Sequence, residues 1–160
     1  MSERIYGLIG RTLKHSYSVQ IHRALGNDDY ALYELEPELL GAFLSREEIG
    51  GLNVTIPYKR DVIPFCDKLD ETAREIGSVN TIVRGLDGKR TGYNTDAYGL
   101  AYMAKRAGIS FHAKKVVILG SGGASLCAQF VARTGGVGEI VVVSRNGKDN
   151  YENLARHADA

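Results

Sequence analysis

The sequence predicts an α/β protein: a mostly parallel sheet flanked by helices, then the first half of a second, doubly wound α/β unit. Three observations predict it. Short β-rich runs alternate with stretches of helical spacing along the chain. The run KVVIL at 115–119 is continuously apolar, as a strand buried inside a parallel sheet requires. Most of the 19 glycines fall at the ends of such runs, where α/β loops turn tightly beside a ligand.

The elements follow in order. Residues 4–10 (RIYGLIG) read as a first buried strand ending in glycine. Residues 18–25 are amphipathic, with Val19, Ile21, His22 and Leu25 available for one helical side and Ser16 or Ser18 as the cap. Residues 30–35 alternate like a strand, and 37–44 suit a short helix with proline at its start. GLNVT at 51–55 is a short strand broken by Pro57, and 59–65 begins a helical turn. Residues 67–76 have helical spacing, with Leu69, Ala73 and Ile76 on one face. SVNTIVR at 78–84 is β-rich, and the turn at Asp87-Gly88 leads to 90–94 as its hairpin partner. A helix over 98–107 stops at Gly108. After a hinge at 109–113 come the strand 115–119, a glycine turn at 120–125, a helix over 124–133, a strand over 139–144 and a helix from 150 to 157. The domain expectation is therefore a first unit over 1–97, a connecting helix and hinge over 98–112, and an incomplete second unit over 113–160.

Composition narrows the function classes. Hydrophobic residues are 44% and charged residues 24%, the balance of a globular domain with its own core. The formal net charge of +1 supplies no bulk field for nucleic acid or an anionic membrane, so neither is expected as a partner. No apolar run approaches the ~20 residues that span a bilayer, and the N-terminus MSERIYGLIG lacks the apolar core of a secretory leader. Cys66 and Cys127 have neither metal nor redox spacing, which predicts a reduced, cytoplasmic protein. His15, His22 and His112 lack the partners of a metal site and read as structural or surface residues; no metal is expected.

Chemistry concentrates in two places. The first is the turn Gly120-Ser121-Gly122-Gly123-Ala124-Ser125 between a strand and a helix, with a second strand following. This is a βαβ mononucleotide unit of Rossmann type: the glycines let backbone N–H groups approach a pyrophosphate, and the helix N-terminus adds partial positive charge. The end of the second strand reads Ser144-Arg145-Asn146, with no acid to hold a ribose 2′-hydroxyl, so NADP is expected rather than NAD. A solvated surface charge is the alternative for Arg145.

The second is a set of polar residues at strand ends: Lys14 to Ser18, Asn53-Val54-Thr55 with Lys59, Asn80-Thr81, and Asn94-Thr95-Asp96. Ligands of open α/β sheets bind beyond the strand ends, so these segments are expected to converge on one cleft. Hydroxyls, amides, one ammonium and one carboxylate suit a small polyhydroxylated acid. Each also has a plain alternative: a helix cap for Ser16, Ser18 or Asp96, turn satisfaction for Asn80 and Asn94, a solvated lysine for Lys59.

Taken together, these motifs resemble the shikimate dehydrogenase family, from about Ile5 to the chain end. The matching stretches are Ser16-Tyr17-Ser18, the run from Gly51 to Lys59 (GLNVTIPYK), Gly77 to Thr81 (GSVNT), Gly92 to Gly99 (GYNTDAYG) and Gly120 to Ala124 (GSGGA). The resemblance implies an NADPH-dependent reduction of 3-dehydroshikimate to shikimate, on the route to chorismate and aromatic amino acids, by a monomer or homodimer. It implies that Ser16 and Ser18 hold the substrate carboxylate, and that Thr55, Lys59, Asn80 and Asp96 hold the ring hydroxyls. Lys59 and Asp96 would be the catalytic pair. Gly120, Ser121, Gly122, Gly123, Ala124, Ser144 and Arg145 would contact the cofactor. Two positions depart from the family pattern: Val19 stands where proline is usual, and Ser144-Arg145-Asn146 where Asn-Arg-Thr is common. Family members run to roughly 270 residues as two domains, so the rest of the nucleotide unit is expected to be missing, and the isolated chain to be inactive. A quinate-accepting enzyme of broader specificity and a non-catalytic ligand-binding homologue are the neighbouring readings; retention of both Lys59 and Asp96 speaks against the second.

Overall fold

A computed structural model of the chain describes residues 4–145, 149, 150 and 153. They form two compact units, Met1–Asn94 and Thr95–Ala160.

The first unit is built on a six-stranded sheet: β1 Ile5–Gly10, β2 Tyr30–Glu34, β3 Ile49–Val54, β4 Lys68–Leu69, β5 Thr81–Arg84 and β6 Arg90–Tyr93. Its order is β2-β1-β3-β5-β6-β4. The pairs β1–β2, β1–β3 and β4–β6 are parallel, and the hairpin strand β5 runs antiparallel to both neighbours. Helix α2, Pro37–Leu44, starts on a proline that has no N–H to lose at that position, and it buries Leu40 and Leu44, one turn apart. They join Ile9, Ile49, Leu52, Val54, Tyr58, Val62, Val79 and Ile82 in the main core. Full burial of each such aliphatic side chain contributes about 1.5–3 kcal/mol before entropy is subtracted. Tyr58 is enclosed with its hydroxyl donating to the Leu35 carbonyl, and burial pushes its phenol above the ordinary range.

Two expectations are corrected here. Residues 67–76 are not one helix. Lys68 and Leu69 pair with Thr91 and Gly92 as β4, and helix α3 runs over Glu71–Ile76 behind the cap Asp70, whose carboxylate accepts the Ala73 N–H at 2.9 Å. Helix α1, Ser18–Ala24, has Tyr17 and not a serine at its cap position, and Tyr17 makes no side-chain cap bond; Ser16, one residue earlier, instead accepts the Ser18 N–H on its Oγ at 3.2 Å. Its apolar side is only partly used: Val19 packs against Leu8, Leu13 and Tyr30, and Ile21 and Leu25 stay exposed. The helical turn expected over 59–65 is present: the Val62 N–H donates to the Tyr58 carbonyl at 3.1 Å, and the segment ends as a 3-10 turn, Ile63–Phe65.

The second unit contains α4 Asp96–Arg106, β7 Lys115–Leu119, α5 Gly123–Thr134 and β8 Glu139–Val143. Helix α4 starts two residues earlier than its spacing suggested, with Thr95 as the cap. It stops at Gly108, whose φ of +69° is costly for any residue with a Cβ, and the Ile109 N–H closes back on the Ala104 carbonyl at 2.9 Å. Strands β7 and β8 are parallel in register Val117 to Val141, with α5 as the crossover. The strand read as continuously buried alternates instead: Val117 and Leu119 are exposed, since among the described residues β8 alone pairs with it. Apart from Asn150 and Asn153, the helix expected at 150–157 lies outside the described residues, as does Asn146. Among the described residues no helix is long and apolar enough to cross a membrane.

Candidate functional site

The sheet of the first unit puts its polar strand ends on one edge. Register sets Leu8 beside Asn53, Asn53 beside Thr81, and Thr81 beside Tyr93. The C-terminal ends of β1, β3 and β6 therefore share an edge with the start of β5. Backbone bonds tie the loops down there. The Val54 N–H donates to the Asn80 carbonyl at 2.8 Å, and the Asn80 N–H to the Tyr93 carbonyl at 2.9 Å. The Val79 N–H donates to the Lys59 carbonyl at 2.7 Å, and the Thr55 N–H to the Ile9 carbonyl at 2.9 Å. Thr55, Lys59 and Asn80 thus stand on segments that meet at one place. Asn94 closes the same edge, its amide donating to the Ser78 carbonyl at 2.8 Å. The peptide bond before Pro57, in the loop between Thr55 and Lys59, is cis.

Side chains add a second layer of order. Ser16 Oγ lies 3.1 Å from Ser18 Oγ. Further along the edge, the Tyr30 O–H donates to Asn53 Oδ1 at 2.7 Å. Asn53 Nδ2 donates to Thr81 Oγ1 at 3.2 Å, and Thr81 Oγ1 to Asn80 Oδ1 at 3.0 Å. One hydrogen-bonded run therefore joins Tyr30 to Asn80, while Ser16 and Ser18 bond to each other; Ser16, Ser18 and Asn80 are residues singled out by sequence. Burial pushes the Tyr30 phenol up to about 12, with the Ser18 hydrogen bond pulling the other way. The Tyr30 ring also stacks on His22, centroid to centroid at 3.6 Å, which gives that histidine a packing role. No motif marked Tyr30. It opens a strand 23 residues before Asn53 in sequence, and only the folded sheet brings the two together.

The remaining candidates belong to the second unit. Asp96 is the first residue of α4, so it is not that helix's cap. In the glycine turn Gly120 has φ +112°, a backbone state that excludes most side chains. The space where Gly120 and Gly122 would carry a Cβ is open to 4 Å. Gly122 caps α5 in an extended conformation, no side chain caps that helix, and no acid occupies its first turn. The Gly120 N–H donates to the Val143 carbonyl at 2.8 Å, which sets the turn beside the end of β8, where Ser144 and the exposed Arg145 follow. An uncapped helix start and open space over two glycines, with an arginine two residues past the adjoining strand end, fit the phosphates of a dinucleotide. Among the described residues no group of three or more His, Cys, Asp or Glu could hold a metal ion.

Comparison with known proteins bears on both units. A family profile described as the shikimate dehydrogenase substrate binding domain matches residues 8–82. A curated shikimate dehydrogenase (NADP(+)) of Clostridium beijerinckii is 40% identical over 153 residues, covering 91% of this chain and 56% of that protein. The crystal structure of shikimate dehydrogenase 1 from Peptoclostridium difficile superposes with a TM-score of 0.84 at 35% identity, over 92% of this chain and 57% of that one. The Thermus thermophilus enzyme, solved in complex with NADP(H) and shikimate, gives a TM-score of 0.78 at 28% identity, over 97% of this chain and 61% of that one. The chain spans little more than half the length of these relatives.

Proposed function

The chain belongs to the shikimate dehydrogenase family, and on that premise we propose that its chemistry is the NADPH-dependent reduction of 3-dehydroshikimate to shikimate, a step toward chorismate and the aromatic amino acids. The observation that carries the reading is the Ser16–Ser18 hydroxyl pair together with the hydrogen-bonded run from Tyr30 to Asn80, on the edge where Thr55 and Lys59 also stand. Hydroxyls at one end of that edge suit a carboxylate. An amide, a threonine hydroxyl and an ammonium at the other suit vicinal ring oxygens.

In this reading residues 1–97 form the substrate side, 98–112 the connecting helix and hinge, and 113–160 the start of the cofactor side. Ser16 and Ser18 hold the carboxylate, and Thr55, Lys59, Asn80 and Asp96 hold ring oxygens. The turn from Gly120 to Ala124 takes the cofactor's pyrophosphate on backbone N–H groups, and Ser144 and Arg145 take its 2′-phosphate. NADPH, when bound, supplies the hydride. Lys59 would hold the substrate's carbonyl oxygen and, as an ammonium, would give that oxygen the proton that makes it a hydroxyl. Asp96 is assigned as the second member of the catalytic pair. The proposed setting is the cytosol, where the free thiols of Cys66 and Cys127 stay reduced.

Titration calorimetry of the chain with shikimate, and separately with NADP, tests the assignment. Micromolar to millimolar binding of both is expected. A chain that binds neither would overturn it. In an enzyme containing this sequence, Lys59→Met is expected to lower shikimate oxidation by about 100-fold or more with little loss of affinity. Undiminished turnover would remove Lys59 from the proton transfer.

A further inference from the structure

The side-chain run between Tyr30 and Asn80 has a direction. Every donor in it points the same way: Tyr30 to Asn53, Asn53 to Thr81, Thr81 to Asn80. Hydroxyls can rotate and trade donor for acceptor at little cost. A carboxamide cannot; it must turn through a half circle. Asn53 is therefore the member that holds the direction, and Tyr30 is the group that holds Asn53, by donating to its Oδ1 at 2.7 Å. With Oδ1 occupied, Asn53 meets Thr81 with its Nδ2, and Thr81 must spend its own proton on Asn80 Oδ1. The Asn80 carboxamide is thereby fixed with its oxygen turned toward Thr81. Tyr30 is well suited to anchor this order: it is 5% exposed, and its ring is clamped against His22.

We infer that Tyr30 is a positioning residue of the proposed shikimate subsite, acting through Asn53 and Thr81 to fix which end of the Asn80 carboxamide faces the ligand. The inference rests on the functional reading above for the identity of the ligand, and on geometry alone for the coupling.

The test uses Tyr30→Phe, which keeps the ring and its stacking on His22 and removes only the hydroxyl. Shikimate binding is measured by calorimetry for the unmodified chain, Tyr30→Phe, Asn80→Ala and the double variant. Loss of one neutral hydrogen bond corresponds to about a 5-fold weaker affinity for Tyr30→Phe. With Asn80 already removed, the same change is expected to fall below about 2-fold, because residues acting as one unit are not additive. Equal effects in both backgrounds would overturn the proposal. The side-chain amide resonances of Asn80 give a second, ligand-independent arm: they are expected to move in Tyr30→Phe, and their staying in place would also overturn it. Failure of the unmodified chain to bind shikimate would instead overturn the functional reading, and the ligand assignment with it, while the amide resonances would still decide the coupling.

Discussion

Replacing Gly10 by alanine should damage the candidate site through a single methyl group. Gly10 ends β1, directly beneath the loop that carries Thr55. A Cβ built there would lie 2.6 Å from Leu13 Cδ2, 2.7 Å from Thr55 Cγ2 and 3.3 Å from the Ile56 carbonyl oxygen. Ordinary carbon–carbon contact is about 3.5–4.0 Å, so two neighbours must each yield by roughly 1 Å. Leu13 meets the methyl with the far end of a flexible side chain and can turn away. Thr55 cannot, since its methyl sits one bond from a branched Cβ and its N–H is held by the Ile9 carbonyl. The overlap is therefore relieved by moving Thr55 itself. Overpacking of this kind costs about 1–3 kcal/mol of stability, and a displacement of about 1 Å at a positioned group can cost on the order of 100-fold in function. Urea denaturation should show a lower midpoint at unchanged slope, and calorimetry a much weaker response to shikimate. Wild-type values in both measurements would refute the steric argument, and with it the placement of Thr55 at the ligand.

Three other perturbations test parts of the same framework. Asp70→Ala removes the carboxylate that accepts the Ala73 N–H and should lower stability by about 1 kcal/mol in the same denaturation assay; an unchanged midpoint would show that α3 does not depend on this cap. Leu52→Ala opens a void in the middle of β3 and should cost about 2–5 kcal/mol, read as a shifted urea midpoint. Burial pushes the Cys66 thiol up to about 11, so at pH 8 it stays protonated, and its alkylation by iodoacetamide should lag far behind that of a free cysteine; equal rates would contradict the packing around it.

Much of this architecture is visible in the chain before folding is considered. The bounds of α2 and β7 coincide with the expected 37–44 and 115–119, because Pro37 can only open a helix and Gly120 ends an unbroken apolar run. The hairpin β5–β6 is marked by its Asp87-Gly88 turn. What failed was local spacing without its tertiary partner. Leu69, Ala73 and Ile76 fit a helical face, yet Leu69 lies in a strand because Gly92 offers it a backbone to pair with. In α1, Ile21 and Leu25 follow helical periodicity but find no core to enter. For the site, motif residues supplied Ser16, Ser18, Thr55, Lys59 and Asn80, since their types cluster at strand ends. Tyr30 was invisible for a physical reason: its role depends on a hydroxyl reaching across the sheet to Asn53, a relation that no local pattern encodes.

The hairpin also has a practical use. Its two open ends carry Asn80 and Asn94, while Leu86, fully exposed, rides at its opposite tip. Four residues of strand at about 3.3 Å each put the tip roughly 13 Å away. Arg84 braces that tip, its guanidinium donating to the Gly88 and Ile49 carbonyls. A cysteine introduced at Leu86 would therefore accept a fluorophore or a surface tether on a stiff outrigger, and report on or immobilise the molecule while leaving the ligand edge untouched.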